Sequence, residues 1–219
     1  MDSHALTIIQ REHRAVAAVL HCFEHILNDV KAGKLESDFP LYEAIIDYIQ
    51  DFPDRFHHPK EDNFLFKTAS VRARDLQPVI DDLKAQHVAG ERKIADLRWK
   101  LEAYKKAPKD AWAAFDTAAR AYIDFQRKHI GLEERAVIPT ARRLFDAADW
   151  APIERAYADN DDPIFGRSPR NHFDRLFSRI VALAPQPHGL AERREPKSPG
   201  EDESKRPEFR SRVVELHWL

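Results

Sequence analysis

Three pairs in this chain place a histidine four residues ahead of a glutamate: His57 with Glu61, His87 with Glu91, and His129 with Glu133. On a helix, positions i and i+4 share one face, a turn apart. Imidazole nitrogen and carboxylate oxygen are both donors to first-row metal ions. A single such pair is common on surface helices; it is the recurrence that points to chemistry. A further histidine, His13, lies upstream in Glu12-His13-Arg14. Four helical stretches therefore each offer a histidine, and three of them offer a glutamate one turn on.

Each glutamate of the pattern falls on a stripe expected to face a core, and ionised carboxylates are almost never buried unless paired or metal-bound. A network of His–Glu hydrogen bonds is the plainer alternative, but it has to satisfy several buried charges at once, which is costly. Metal binding is the reading that explains all the pairs together. His4, His21, His25, His172, His188 and His217 have no carboxylate at helix spacing on an inward face.

The elements that carry these residues follow from hydrophobic spacing. The first helix is expected from Asp2 or Ser3 to Gly33, with Ile9, His13, Val16, Leu20, Phe23 and Leu27 inward. The second starts after Asp38, which suits a cap, with Pro40 in its first turn, and runs to about Phe66. Pro53 and Pro59 lie inside it; each removes a backbone donor, so the helix is expected to bend, with Pro59 between His57 and Glu61, or to end early. The third runs from about Ala73 to Lys105 on the stripe Leu76, Ile80, Leu83, His87, Glu91, Ile94, Leu97 and Leu101, with Gly90 beside His87 and Pro108 ending it. Gly90 costs about 1 kcal/mol of helix propensity against alanine, which suggests room for a bridging group or a close neighbouring helix. The fourth runs from about Asp110 to Ala147 on Phe115, Ala118, Tyr122, Phe125, His129, Glu133 and Ala136, with a kink expected at Pro139. Tyr122 and Phe125 are placed to wall the site.

Four long helices with short links imply an all-α, up-down-up-down four-helix bundle over 1–148. The distances in sequence from helix ends put the candidate ligands at similar heights. Short helices over 149–184 are expected to pack on the bundle, and the Pro- and charge-rich stretch 185–219 to be a flexible tail with an apolar end. Hydrophobic residues at 43% and charged residues at 33% describe a globular chain, and six glycines in 219 residues favour helix over strand. The formal charge of −2 without a basic block does not suggest nucleic acid, and no apolar run approaches a membrane span. Cys22 alone excludes an intramolecular disulfide and a cysteine-based zinc site. With no signal peptide evident at the N-terminus, the expected location is cytoplasmic.

The order of these motifs resembles the hemerythrin-like (HHE cation-binding) family: one histidine on the first helix, His-x-x-x-Glu on the second, a histidine on the third and His-x-x-x-Glu on the fourth. Local strings agree at Glu12-His13-Arg14, Phe56-His57-His58-Pro59-Lys60-Glu61-Asp62 and His129-Ile130-Gly131-Leu132-Glu133-Glu134, within roughly 4–145. The resemblance implies a four-helix bundle holding two iron ions bridged by an oxo or hydroxo group. It carries over His13, His57, Glu61, His87, His129 and Glu133, with Glu61 and Glu133 as bridging carboxylates. Oxygen-carrying relatives have His-x-x-x-His on the third helix, where this chain has His87 and Glu91, and an aspartate five residues past the fourth-helix histidine. Fewer histidines and more carboxylate favour ferric iron, which moves the expectation from reversible oxygen carriage toward nitric oxide, peroxide or iron-centre repair chemistry. Glu91 is left with three roles: an iron ligand, a hydrogen bond to a bound small molecule, or neither. His58 and Asp62 fall about 100° from the site on an ideal helix and are expected as outer or surface contacts. The implied function is binding of oxygen, nitric oxide or peroxide at the iron pair, with a redox or protein partner unspecified. The alternative is an iron-handling or redox-sensing module that signals metal state.

Overall fold

The computed structural model describes residues 3–158 and 169–191. Among these residues the chain is helical, and the one β-type contact is an isolated bridge between Pro185 and Ala191. Helix α1 is His4–Lys31; the Ser3 hydroxyl caps it by accepting from the Ala5 N–H at 3.2 Å. It stops at Gly33, whose φ of 67° is the left-handed turn conformation that glycine adopts without penalty. Helix α2 covers 39–72 and starts on an Asp38 cap, whose carboxylate accepts from Leu41 N–H at 3.0 Å. A 3-10 turn, Arg74–Leu76, leads into α3, Gln77–Lys106. Ala107 alone separates α3 from α4, which covers 108–144, so Pro108 both ends one helix and occupies the first turn of the next.

The prolines of α2 do not end it. The helix continues to Arg72 by switching to π-helical geometry over Gln50–His57 and again over Glu61–Leu65. The His58 N–H bonds to Pro53 C=O, five residues back rather than four. This wider turn accommodates prolines that cannot donate to the ordinary ladder. Helix α4 does the same over Glu133–Val137, just before Pro139, where a kink was expected. In both helices a π turn begins at a glutamate of the His-x-x-x-Glu pattern.

Two apolar clusters flank the polar layer. One contains Val16, Leu20, Phe23, Ile45, Phe52, Ile94, Phe115, Tyr122 and Ile123. The other contains Leu6, Ile9, Leu65, Phe66, Ile80, Leu83, Val137 and Ile138. Along α1 the chain passes from the second cluster to the first, along α2 from the first to the second, and α3 and α4 repeat that sequence. In every helix the crossing falls at the His and Glu positions. Helix α5, Ala147–Ala158, adds Trp150, Ile153 and Tyr157 to the second cluster, and the Ser3 hydroxyl donates to Glu154 at 2.8 Å.

Helix α6, Pro169–Leu183, packs on α2 and adds Ile180 to the first cluster. Residues 185–191, expected to be flexible, fold back on it: Leu190 N–H reaches Val181 C=O at 2.8 Å, and Ala191 N–H reaches Ala184 C=O at 3.0 Å. A Cβ on Gly189 would lie 2.3 Å from the Ala184 oxygen, so only glycine fits there. The rest of the expected tail, 192–219, lies outside the described residues. No described helix is long and apolar enough to cross a membrane.

Ile180→Ala removes a side chain with 2% exposure. It should lower the unfolding free energy by about 2–5 kcal/mol, read as a lower urea midpoint, without changing metal content, because Ile180 belongs to α6, which supplies none of the His and Glu positions.

Candidate metal centre

The structure brings six of the seven predicted residues into one buried layer. His13 and His57 face each other with Nε2 atoms 3.1 Å apart, and so do His87 and His129, also at 3.1 Å. Between the pairs lie the carboxylates of Glu61 and Glu133, at 0% and 1% exposure. Glu61 turns Oε1 toward His57 (3.2 Å) and His13 (3.5 Å), and Oε2 toward His87 (3.7 Å). Glu133 does the converse: Oε1 lies 3.2 Å from His129 and 3.9 Å from His87, and Oε2 lies 3.4 Å from His13. Each carboxylate thus spans both histidine pairs.

The outer nitrogens of the four rings are held in a closed circuit. Glu12 of α1 lies 2.8 Å from Nδ1 of His57 on α2. Asp62 of α2 lies 3.1 Å from Nδ1 of His87 on α3. Gln86 of α3 presents Oε1 at 3.1 Å to Nδ1 of His129 on α4, and Glu134 of α4 lies 2.8 Å from Nδ1 of His13 on α1. Every one of these oxygens belongs to the residue next to an inner ligand. It precedes that ligand on α1 and α3 and follows it on α2 and α4.

These contacts assign the protons. An acceptor at Nδ1 places the hydrogen there and leaves a lone pair on Nε2. Two Nε2 lone pairs at 3.1 Å cannot bond to one another. All four oxygens of Glu61 and Glu133 are buried without a hydrogen-bond partner. Buried, unsatisfied ligand atoms of this kind fit a cation, and His13, His57 and Glu61 on one side and Glu61, His87 and His129 on the other bring such atoms within 4.8 Å of one another.

Without metal, protons take that role. Burial alone would depress His13, but Glu134 and Glu61 outweigh it and raise its pKa to about 9. His87 is likewise opposed by burial and raised to about 9 by Asp62 and Glu133. In His57 the carboxylates of Glu61 and Glu12 overcome burial and push the pKa well up. Burial pushes Glu61 up, yet His57 and His13 hold it well below the usual carboxylate range. Glu133, pushed up by burial and by Glu61, is drawn down to about 2 by His129 and His87.

Glu91 stands apart from the other six. Expected on the inward stripe, it is exposed and lines a cleft of about 260 Å³ with Gln50, Asp54, Arg55 and Ile94. The stripe fails by angle. At about 100° per residue, Leu83, Gly90 and Ile94 lie to one side of His87, and Glu91 lies about 40° to the other. Gly90 makes room for a neighbouring helix: a Cβ there would sit 3.4 Å from the Phe125 ring, which stacks parallel to His129.

Sequence reasoning placed His58 and Asp62 outside the site. Asp62 does grip His87 from outside, but His58 is buried at 6% exposure and lies with Glu61, His87 and His129 in a group whose ligand atoms are within 4.8 Å of one another. Burial and the surrounding histidines hold its pKa well below the ordinary value. Behind it, Asp54 is also buried, and burial followed by Glu91 raises it to about 7. Tyr157 of α5, which no spacing flagged, sets its ring edge-on to His57 at 6.5 Å. Gln86 and Glu134 were marked only by being next to a ligand.

The family model described as the hemerythrin HHE cation binding domain matches residues 4–141. No curated protein and no solved structure matches the chain.

Two predictions come from this geometry. His13 and His87 have folded-state pKa values near 9, above the ordinary 6.5. Their contribution to metal-free stability is full below about pH 6.5 and disappears as pH rises through 9. Glu61 and Glu133, lowered in the fold, act oppositely: their contribution is present above about pH 4.5 and is lost as pH falls below it, for Glu133 through about 2. Calorimetry of the metal-free protein should therefore show a falling melting temperature from pH 6.5 to 9, and metal uptake in weak buffer should release protons in that window. Separately, Glu12→Ala should weaken metal at the His13–His57 position about 10–100-fold, measured by competition with a chelator, because His57 loses its outer partner.

Proposed function

Because the chain belongs to the hemerythrin HHE cation-binding family, we propose that it holds two iron ions bridged by an oxo or hydroxo group and binds a small ligand, namely oxygen, nitric oxide or peroxide. The observation that carries this reading is that both buried carboxylates present one oxygen to each of two facing histidine pairs. His13, His57, Glu61, His87, His129 and Glu133 would be the ligands. The alternating passage of α1 to α4 between two apolar clusters supports an up-down-up-down four-helix bundle. The buried free Cys22 suits the reducing cytoplasm.

When bound, the iron pair supplies an open position for a small ligand and the electrons to reduce it. The chain's residues prepare that chemistry. The outer carboxylates fix the histidine tautomers so that Nε2 is the donor. The flanking apolar clusters keep bulk water from the layer, and Tyr157 closes one side against His57. The cleft lined by Gln50, Asp54, Arg55, Glu91 and Ile94 is the approach for a small ligand, since its buried lining residue Asp54 adjoins His58. Glu91 then acts at the mouth of that approach, consistent with its exposure.

Metal analysis with visible spectroscopy tests the reading. The protein reconstituted with ferrous iron should hold about two irons per chain and develop oxo-to-iron charge-transfer bands in air. His57→Ala and His129→Ala should each lose at least one iron, about half the content, and melt at lower temperature since bound metal stabilises the folded state. Unchanged iron content in both variants, or no iron in the wild type, would end the assignment.

A further inference from the structure

Asp54 and Glu91 stand one turn from the layer, both toward the apolar cluster that holds Phe52 and Ile94. Asp54 is four residues before His58 on α2; Glu91 is four residues after His87 on α3, which crosses the layer in the opposite sense. Both line the cleft of about 260 Å³ described above. Asp54 is buried at 7% exposure, and no protein hydrogen bond reaches either of its oxygens. His58 is buried at 6%, and its Nδ1, also without a hydrogen bond, lies 3.5 Å from Asp54 Oδ1. Polar atoms buried in this way are costly and call for a partner. The arginines at the cleft are committed elsewhere: Arg55 donates to Asp51 at 3.0 Å, and Arg98 donates to Gln50 at 2.8 Å and to Asp47 at 2.7 Å. Glu91 is no partner either, since burial and then Glu91 push the Asp54 carboxyl up to about 7. Two carboxylates that repel across a cleft, with an imidazole nitrogen behind them, make the mixed oxygen and nitrogen donor set of a divalent first-row ion.

We propose that the cleft is a divalent-cation site outside the layer, held by Asp54, His58 Nδ1 and Glu91, and that ferrous iron enters the layer through it. The entry role rests on the metal-pair reading above; the cation site does not. Asp54 and His58 are the buried, fixed donors. Glu91, exposed on the neighbouring helix, closes on the ion from the cleft side. The His58 ring stacks face to face on His87, with centroids 4.1 Å apart and planes 13° apart, so the in-plane lone pairs of the two rings do not meet on one ion. The Nδ1 of His58 is thus a donor for the cleft, while the ring itself abuts the layer. One helical turn, about 5.4 Å, separates Glu91 from His87, so an ion held in the cleft has a short step to the layer. This gives a use to the one glutamate of the His-x-x-x-Glu pattern that the layer does not include.

Manganese(II) is the probe. The iron-loaded full chain, titrated with manganese and followed by the paramagnetic resonance of the free ion, should bind one further ion weakly. Asp54→Asn and Glu91→Gln should each weaken that binding at least about tenfold, since losing even an outer partner of a metal site costs that much. Both variants should still reach the wild-type iron content, because neither residue is in the layer. In stopped-flow loading of the metal-free chain with limiting ferrous iron, both should fill at least about tenfold more slowly. No manganese bound by the wild type, or equal binding by both variants, would overturn the cation site. Equal loading rates would overturn the entry role. A wild type that takes up no iron would end the metal-pair reading; a manganese site lost in Asp54→Asn would still support the cation site and leave only the entry role without a destination.

Discussion

Two glutamates sit without a hydrogen bond at the centre of a helical protein, in one layer and close enough that Glu61 pushes the pKa of Glu133 upward. Burying even one ionised carboxylate costs several kcal/mol after relaxation, and a second of like charge beside it costs more. Positive charge on both sides of the pair offsets that cost. Protons on His13, His57 and His87 can supply it, as their raised pKa values show. Metal ions supply it with donors already aimed, and most other features of the layer follow from that requirement.

The circuit of outer contacts shows how four helices are made to agree. The gripping residue precedes the ligand on α1 and α3 and follows it on α2 and α4. One step along a helix rotates a side chain by about 100°. Reversing the helix direction reverses the sense of that rotation as viewed from one end. Alternating the step with the helix thus keeps every grip pointing around the layer in the same sense. Each histidine is oriented by a helix other than its own, so no helix presents a finished ligand until its neighbour is docked.

Much of this was legible in the sequence because helix spacing is a rigid ruler where the helix is regular. It singled out His13, His57, Glu61, His87, His129 and Glu133, which the structure gathers in one buried layer, together with most of the core stripes. It failed in two ways. Glu91 was assigned inward because a four-residue step was treated as exact superposition, when the buried arc of α3 lies on the far side of His87. His58 was assigned outward because the ruler assumes an α-helix, and α2 is π-helical on both sides of His58. A wider turn rotates less per residue, so neighbours such as His57 and His58 can both face inward. The sequence did show Pro53 and Pro59, the residues that make a regular helix untenable there, but not which escape the backbone would take. The outer grips were in view as neighbours of the ligands, yet their targets depend on helix direction, which spacing within one helix does not contain.

The π turns at Glu61 and Glu133 have a consequence for how electrons would be distributed. They mark α1–α2 and α3–α4 as one helical hairpin used twice, each copy bringing two histidines and one glutamate. Had the copies been identical, the two metal positions would be equivalent. They differ in charge. The histidines of the first position are held from outside by Glu134 and Glu12, two anions; those of the second are held by Asp62 and by the neutral amide of Gln86. An anionic partner makes an imidazole a stronger donor and stabilises the higher oxidation state of what it binds. In the two-iron reading proposed above, that difference in charge would favour the higher oxidation state first at the His13–His57 position.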